Sequence, residues 1–364
     1  MPDNLVLLGG GHSHAIALRL FGKKPIPGVN LTLITDVIKT PYSGMLPGHV
    51  AGFYSYEETH IDLCKLTSFA GAELLLDEAI GLDLEKNLVI CKHLPPVEFD
   101  YLSIDIGSTP ATDSIPGVDR YAIPAKPVPQ FLAAWEQLIE QVTTMPKMAI
   151  AIVGGGAGGV ELALNMHSRL PKHVSIHLFH RNDRLLPNHS DRVGKQLEQI
   201  LQQRGIYIHL QETVSEVSVD RISCQSGLVV AVDRIFWVTQ ASAPNWIKQS
   251  GLTTDDRGFI LVNNFLQSVS HPHIFAAGDI ATMQNYSRPK AGVFAVRQGK
   301  PLFENWHRIT TNRPLKPYIP QKRYLSLIGT GDRRAIASWG KLCWRSPLLW
   351  CWKDYIDRQF MNLF

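Results

Sequence analysis

The chain has 364 residues, 45% hydrophobic and 19% charged, a composition that excludes a disordered or collagen-like chain and leaves room for two or three globular cores. Its 36 Lys and Arg stand against 32 Asp and Glu, a formal net charge of +4 without a long basic block, which excludes nucleic acid as a partner. The five cysteines, Cys64, Cys91, Cys224, Cys343 and Cys351, form no C-x-x-C or C-x4-C pair, so no local dithiol is offered for disulfide exchange and buried thiols are expected. No apolar run reaches the ~18 residues of a membrane-spanning helix. The first strand begins too early to leave space for a signal peptide, and a cytoplasmic protein, peripheral to the inner membrane face at most, is expected.

In chain order, an apolar strand at 5–8 breaks into Gly9-Gly10-Gly11-His12-Ser13-His14 and resumes as a helix over 15–21. Strand, glycine turn and helix make a dinucleotide-binding unit: Gly9 turns the chain and Gly11 admits a diphosphate, with His12 and Ser13 at the helix start. His14 stands where the third glycine of the pattern belongs, so the helix is expected slightly farther from the strand. A metal reading of His12-x-His14 lacks a third and fourth ligand, and no metal is expected. The next strand, 29–35, ends at Asp36, an acid placed to hold a ribose hydroxyl. The Pro- and Gly-rich loop 40–52 also carries Tyr42, Met45 and Leu46, a composition suited to pressing Ser43 and Gly44 against a flavin ring. Short strands over 73–104 lead to Gly107-Ser108-Thr109-Pro110, where the chain is expected to cross between domains beside a cofactor. A Pro-rich linker, 115–129, and a helix, 130–141, follow.

Residues 149–164, AIAIVGGGAGGVELAL, repeat the unit with the full glycine set: Gly154 for the turn, Gly156 for the diphosphate and Gly159 for close helix packing. Two such units on one chain imply one bound FAD and one visiting nicotinamide, NADPH or NADH. The second strand of this unit ends in His180-Arg181-Asn182-Asp183-Arg184, and Arg181 and Arg184 favour NADPH through its 2′-phosphate; solvated charges are the alternative. Glu161 is the candidate catalytic residue, orienting the nicotinamide, unless it is an ordinary first-turn glutamate. Gln240 stands where a glycine is expected, which argues against close cofactor approach there. Late in the chain, Gly278-Asp279 ends a strand and is expected to meet a ribityl hydroxyl and the flavin phosphate. Lys290 and Gly292 open the following helix, whose N-terminus is expected to point at the flavin.

The last fifty residues read as a β-hairpin, 323–339, and after Pro347 an amphipathic helix. Its apolar side is predicted to hold Leu348, Leu349, Trp352, Tyr355, Ile356, Gln359 and Phe360, and its polar side Lys353, Asp354, Asp357 and Arg358. Trp339, Trp344, Trp350 and Trp352 beside Lys341, Arg345 and Lys353 suit a membrane surface through 340–364. Packing on the flavin domain or on a second subunit, as a homodimer, is the other reading and the slightly favoured one, because apolar helix faces are usually core.

The strings GGGHSHAIALRLF, TPYSGMLPGHVAG, DYLSIDIGSTP, IFAAGDIA and KAGVFAVRQG resemble the pyridine nucleotide-disulfide oxidoreductase superfamily in its non-disulfide branch, with the type II NADH:quinone dehydrogenases. More narrowly, they are similar to the flavoprotein module fused to selenide, water dikinase. The resemblance implies an α/β fold of two Rossmann-like dinucleotide-binding domains, the FAD domain split by an inserted NAD(P) domain, plus a C-terminal hairpin and helix. The expected boundaries are 1–118 and 246–314 for the FAD domain, 119–245 for the NAD(P)H domain and 315–364 for the tail. The implied activity is a FAD-dependent NAD(P)H oxidoreductase that delivers electrons to a quinone-like acceptor, with a selenide, water dikinase domain as a further partner. The alternatives are a reductase for a selenium or sulfur species and a flavin-binding module with a vestigial nicotinamide site.

Overall fold

The structure is a computed structural model that describes residues 2–110, 115–145, 147–239 and 241–364; the expectation attached to Gln240 falls outside them. Two five-stranded parallel sheets carry it. The first has the order Ile274–Ala276, Tyr101–Ile104, Asp3–Leu8, Val29–Thr35, Glu73–Leu76. In the second the order is Ala122–Pro124, Arg234–Trp237, Met148–Val153, Val174–His180, Tyr207–Leu210. Sheets of this kind are covered on both faces, which is why their central strands read as continuous apolar runs. Leu5, Val6, Leu7 and Leu8 are all buried, as are Ile150, Ala151, Ile152 and Val153.

In each sheet the strand before the glycine turn lies where the strand order reverses, the position at which open α/β sheets bind ligands. The strand Ile274–Ala276 returns to the first sheet after the whole second sheet has been built, so one Rossmann-like domain is split by the other. The two crossing segments, which look alike in sequence, pair with each other: Thr109 lies opposite Ser242 and Pro110 opposite Ala241 in an antiparallel bridge.

Two C-terminal expectations need correction. The hairpin gains a third strand, giving an antiparallel sheet of Ser326–Gly329, Ala335–Trp339 and Leu342–Ser346. The helix Pro347–Met361 is turned largely the other way from the predicted one. Lys353 and Asp357, placed on the solvated side, keep only 15% and 7% of their side chains exposed. Leu348, Tyr355 and Ile356, placed on the packed side, are exposed, Leu348 to 72%. Leu349 and Phe360 are buried as expected. The cause is the surface beneath the helix, which is polar: Tyr42 Oη donates to Asp357 at 3.0 Å, Tyr54 Oη to Asp354 at 2.7 Å, and Lys353 Nζ to the Gly44 carbonyl at 2.5 Å.

Candidate functional site

The first glycine turn is organised around a residue that the sequence reading passed over. Asp105, directly after the strand Tyr101–Ile104, is 2% exposed and accepts the N–H groups of Ser13 at 2.8 Å and His14 at 3.2 Å. A Cβ on Gly11 would lie 2.3 Å from the Asp105 carboxyl carbon, and one on Gly278 2.2 Å from its oxygen. These two glycines therefore make room for one buried carboxylate that ties the early turn to the late Gly-Asp turn. Burial pushes the Asp105 carboxyl up to about 7, against its hydrogen bonds from His14 and Ser13. An acid after an apolar strand was the one available signal.

His14 shows why glycine is dispensable in this turn. In the second unit a Cβ on Gly159 would stand 1.8 Å from the Gly154 carbonyl oxygen. In the first unit the buried His14 ring makes the Gly9 carbonyl a partner at 2.6 Å through Nδ1 and reaches Ser103 Oγ at 2.8 Å through Nε2. Ser13 is turned inward, its hydroxyl donating to the Ala295 carbonyl, so its polar groups are engaged within the protein. His12 differs: its Nε2 is buried without a partner, and burial lowers its pKa to about 4. Its ring stands edge-on to Tyr42 and Phe360 at 5.4 and 6.0 Å.

The other expected flavin-side residues fall into two groups. Ser43 meets Gly292, where a Cβ would lie 3.2 Å from its hydroxyl oxygen, so the Pro-Gly loop and the start of the helix Gly292–Thr310 come together. Asp279 accepts Lys126 Nζ at 2.6 Å and Ser108 Oγ at 3.3 Å. Burial opposes its charge, yet Lys126, Lys290 and His12 outweigh burial and hold its pKa low. Lys290 Nζ donates to the Ala281 carbonyl at 2.6 Å and lies 3.9 Å from the centre of the Phe259 ring; burial pulls it down to about 8. Gly107 takes a φ of +75° in the crossing turn. Asp36 is exposed just past the end of its strand.

The second glycine turn opens onto a cleft of about 730 Å³. Gly154, at φ +130°, packs so tightly that a Cβ would lie 2.4 Å from the Val238 carbonyl oxygen, whereas Gly156 has nothing within 4 Å of that position. The lining of the cleft also holds Ser108, Lys126, Asp279 and Lys290, so the second glycine turn shares one space with the crossing turn and the late Gly-Asp turn. An open glycine at a helix start and a buried imidazole nitrogen awaiting a partner fit two dinucleotide cofactors. Arg181 lines this cleft. Arg184 does not join it, because its guanidinium is held by Asp191 and by the Pro187 carbonyl. Glu161 also faces elsewhere: its Oε1 accepts the Gly329 N–H at 2.8 Å, beneath the C-terminal helix. There burial pushes Glu161 up, with Lys353 opposing. Burial lowers Lys353, but Asp357 and Glu161 together outweigh it, so Lys353 stands as the cation between two carboxyls.

Among the described residues no group of three or more His, Cys, Asp or Glu could hold a metal, and no helix is long and apolar enough to cross a membrane.

The family model described as pyridine nucleotide-disulphide oxidoreductase matches residues 3–299. Demethylphylloquinone reductase NdbB of Synechocystis is 27% identical over 72% of this chain and 68% of its own length. NADH dehydrogenase-like protein YutJ of Bacillus subtilis is 20% identical over 96% of this chain and 99% of its own. Among solved structures, NDH2 of Plasmodium falciparum in complex with NADH superposes with a TM-score of 0.86 at 17% identity, covering 100% of this chain and 97% of that one. The sulfide:quinone oxidoreductase of Aquifex aeolicus gives 0.81 at 17%, covering 99% and 92%. These names lend no support to the expected tie to selenide, water dikinase. The chain belongs to the pyridine nucleotide-disulphide oxidoreductase family and is an oxidoreductase with FAD and a nicotinamide dinucleotide as its cofactors.

Proposed function

We propose that the chain is an NAD(P)H:quinone oxidoreductase working at a membrane surface. The observation that carries the donor half is the single cleft in which the second glycine turn meets Ser108, Asp279 and Lys290, since hydride transfer needs the two rings in contact and no side-chain acid or base. FAD supplies the two-electron chemistry when bound. Gly9, Gly11 and His12 would hold its diphosphate end, Asp36 its ribose, Ser108 and Asp279 its ribityl chain, and Ser43, Gly44, Gly107, Lys290 and Gly292 the ring end. Gly154, Gly156 and Gly159 would cradle the donor, and Arg181, with no acid at the end of its strand, favours NADPH. The proposed domain boundaries remain 1–118 with 246–314, 119–245 and 315–364.

The acceptor half is supported by the relative named a demethylphylloquinone reductase and by the outer face of the tail. Trp339, Leu342 and Trp344 share one face of the antiparallel pair and are 53%, 65% and 63% exposed, next to exposed Leu348 and Trp352. Such a face suits a bilayer interface, where a quinone is met. A quinone accepts protons with its electrons, and the Glu161 carboxyl, whose proton affinity burial raises, would pass one under the helix. Anaerobic mixing of FAD-loaded protein with NADPH and then NADH tests the reading. Rapid bleaching of flavin absorbance is expected, with kcat/KM higher for NADPH; no bleaching by either donor would overturn it.

A further inference from the structure

Lys126 sits in the Pro-rich linker, outside both glycine motifs, and nothing in its local sequence marks it. The fold nevertheless carries it to the junction of the two sites. Its Nζ donates to Asp279 Oδ2 at 2.6 Å and to Ser108 Oγ at 3.0 Å, joining the linker to the crossing turn and to the late Gly-Asp turn. The side chain remains 40% exposed and lines the same cleft as Gly154 and Gly156. The other lysine near Asp279 is differently placed. Lys290 spends its ammonium on the Ala281 carbonyl and the Thr282 hydroxyl and rests on the Phe259 ring.

On the function proposed above, Asp279 stands against the ribityl chain of FAD, and reduction adds negative charge to the flavin. An unpaired carboxylate there would oppose that charge, and a cation on the carboxylate removes the opposition and adds attraction of its own. We propose that Lys126 tunes the flavin electrostatically, binding Asp279 and Ser108 so that the site favours reduced over oxidised FAD. The effect belongs to the FAD site and does not depend on which acceptor the enzyme uses.

The test is the midpoint potential of bound FAD in the full chain, measured by dye-equilibrated reduction of the parent, K126Q and K126R. Loss of the charge in K126Q is expected to shift the ratio of reduced to oxidised affinity at least tenfold against the reduced form, about 30 mV downward for a two-electron couple. K126R, which keeps the charge, is expected close to the parent. Titration of the apoprotein with FAD is expected to give similar affinity for oxidised FAD in all three. A parent-like potential in K126Q would overturn the proposal, as would equal shifts in K126Q and K126R. So would failure of K126Q to retain oxidised FAD, which would make Lys126 a residue needed for assembly of the site. Bleaching by NADPH is read separately, so a failed donor reading and a failed Lys126 reading give different results.

Discussion

The side chain on which the first site turns is Asp105, and its chemistry gives a pH dependence with a definite sign. Its carboxyl lies at about 7 in the fold against an ordinary 3.8, so the folded protein binds that proton more tightly than the unfolded chain. The stability it contributes is complete below about pH 4 and is lost as pH rises through about 7. Urea unfolding of the apoprotein across this range is expected to show a steeper decline for the parent than for D105N, which cannot ionise. Buried His12 and His14, both lowered to about 4, act with the opposite sign in acid but are common to both proteins. Parallel declines would show that the carboxylate is held charged by the N–H groups of Ser13 and His14. Sequence could reveal the turn but not this residue, because an acid after a strand becomes informative only when Gly11 and Gly278 are seen leaving space for it.

Elements were legible where backbone rules decide them and illegible where the packing partner decides them. The units at Gly9 and Gly154 follow from glycine spacing after apolar strands, and the late strand Ile274–Ala276 from its Gly278-Asp279 ending. The helix Pro347–Met361 carries a clear apolar stripe, yet periodicity cannot say which side faces inward. The segment 42–58, which holds the short helix Leu46–Val50 and most of Tyr56–Thr59, presents Tyr42, Tyr54 and Glu58 to it, with Arg358 bound to Glu58 at 2.8 Å, and so it captures the charged side. Arg184 failed for a similar reason, since Asp191 lies seven residues away and claims it. The apolar side left outside makes a second prediction. Burying a large apolar side chain contributes about 1.5–3 kcal/mol, so W344S/W352S is expected to weaken flotation with anionic liposomes at least tenfold, while bleaching by NADPH is retained. A parent protein that stays unbound at low salt would reject the bilayer contact and favour packing between copies of the chain.

At the scale of the whole molecule, the proposed function assigns its two half-reactions to two separate places. The acid in the lining of the donor cleft that burial acts on, Asp279, is paired with Lys126, and hydride transfer itself draws on no acid or base. The acceptor side proposed above is the space under the C-terminal helix, where Glu161 bonds the Gly329 N–H and Lys353 bridges Gly44 and Asp357. Burial raises the proton affinity of Glu161 there, and Asp357 adds to the rise, while Lys353 and the Gly329 N–H oppose it. A proton taken up at that position would serve the proposed quinone and not the donor half. E161Q keeps the acceptor for the Gly329 N–H and removes the proton, so it separates the halves. Donor-driven flavin bleaching in E161Q is expected within about twofold of the parent, while steady-state turnover with a water-soluble quinone falls about a hundredfold, the usual scale for loss of a general acid. If bleaching falls together with turnover, Glu161 acts on the nicotinamide after all, as its place in the glycine-turn helix first implied. If neither falls, protons reach the acceptor from water, and the buried cluster serves to dock the helix.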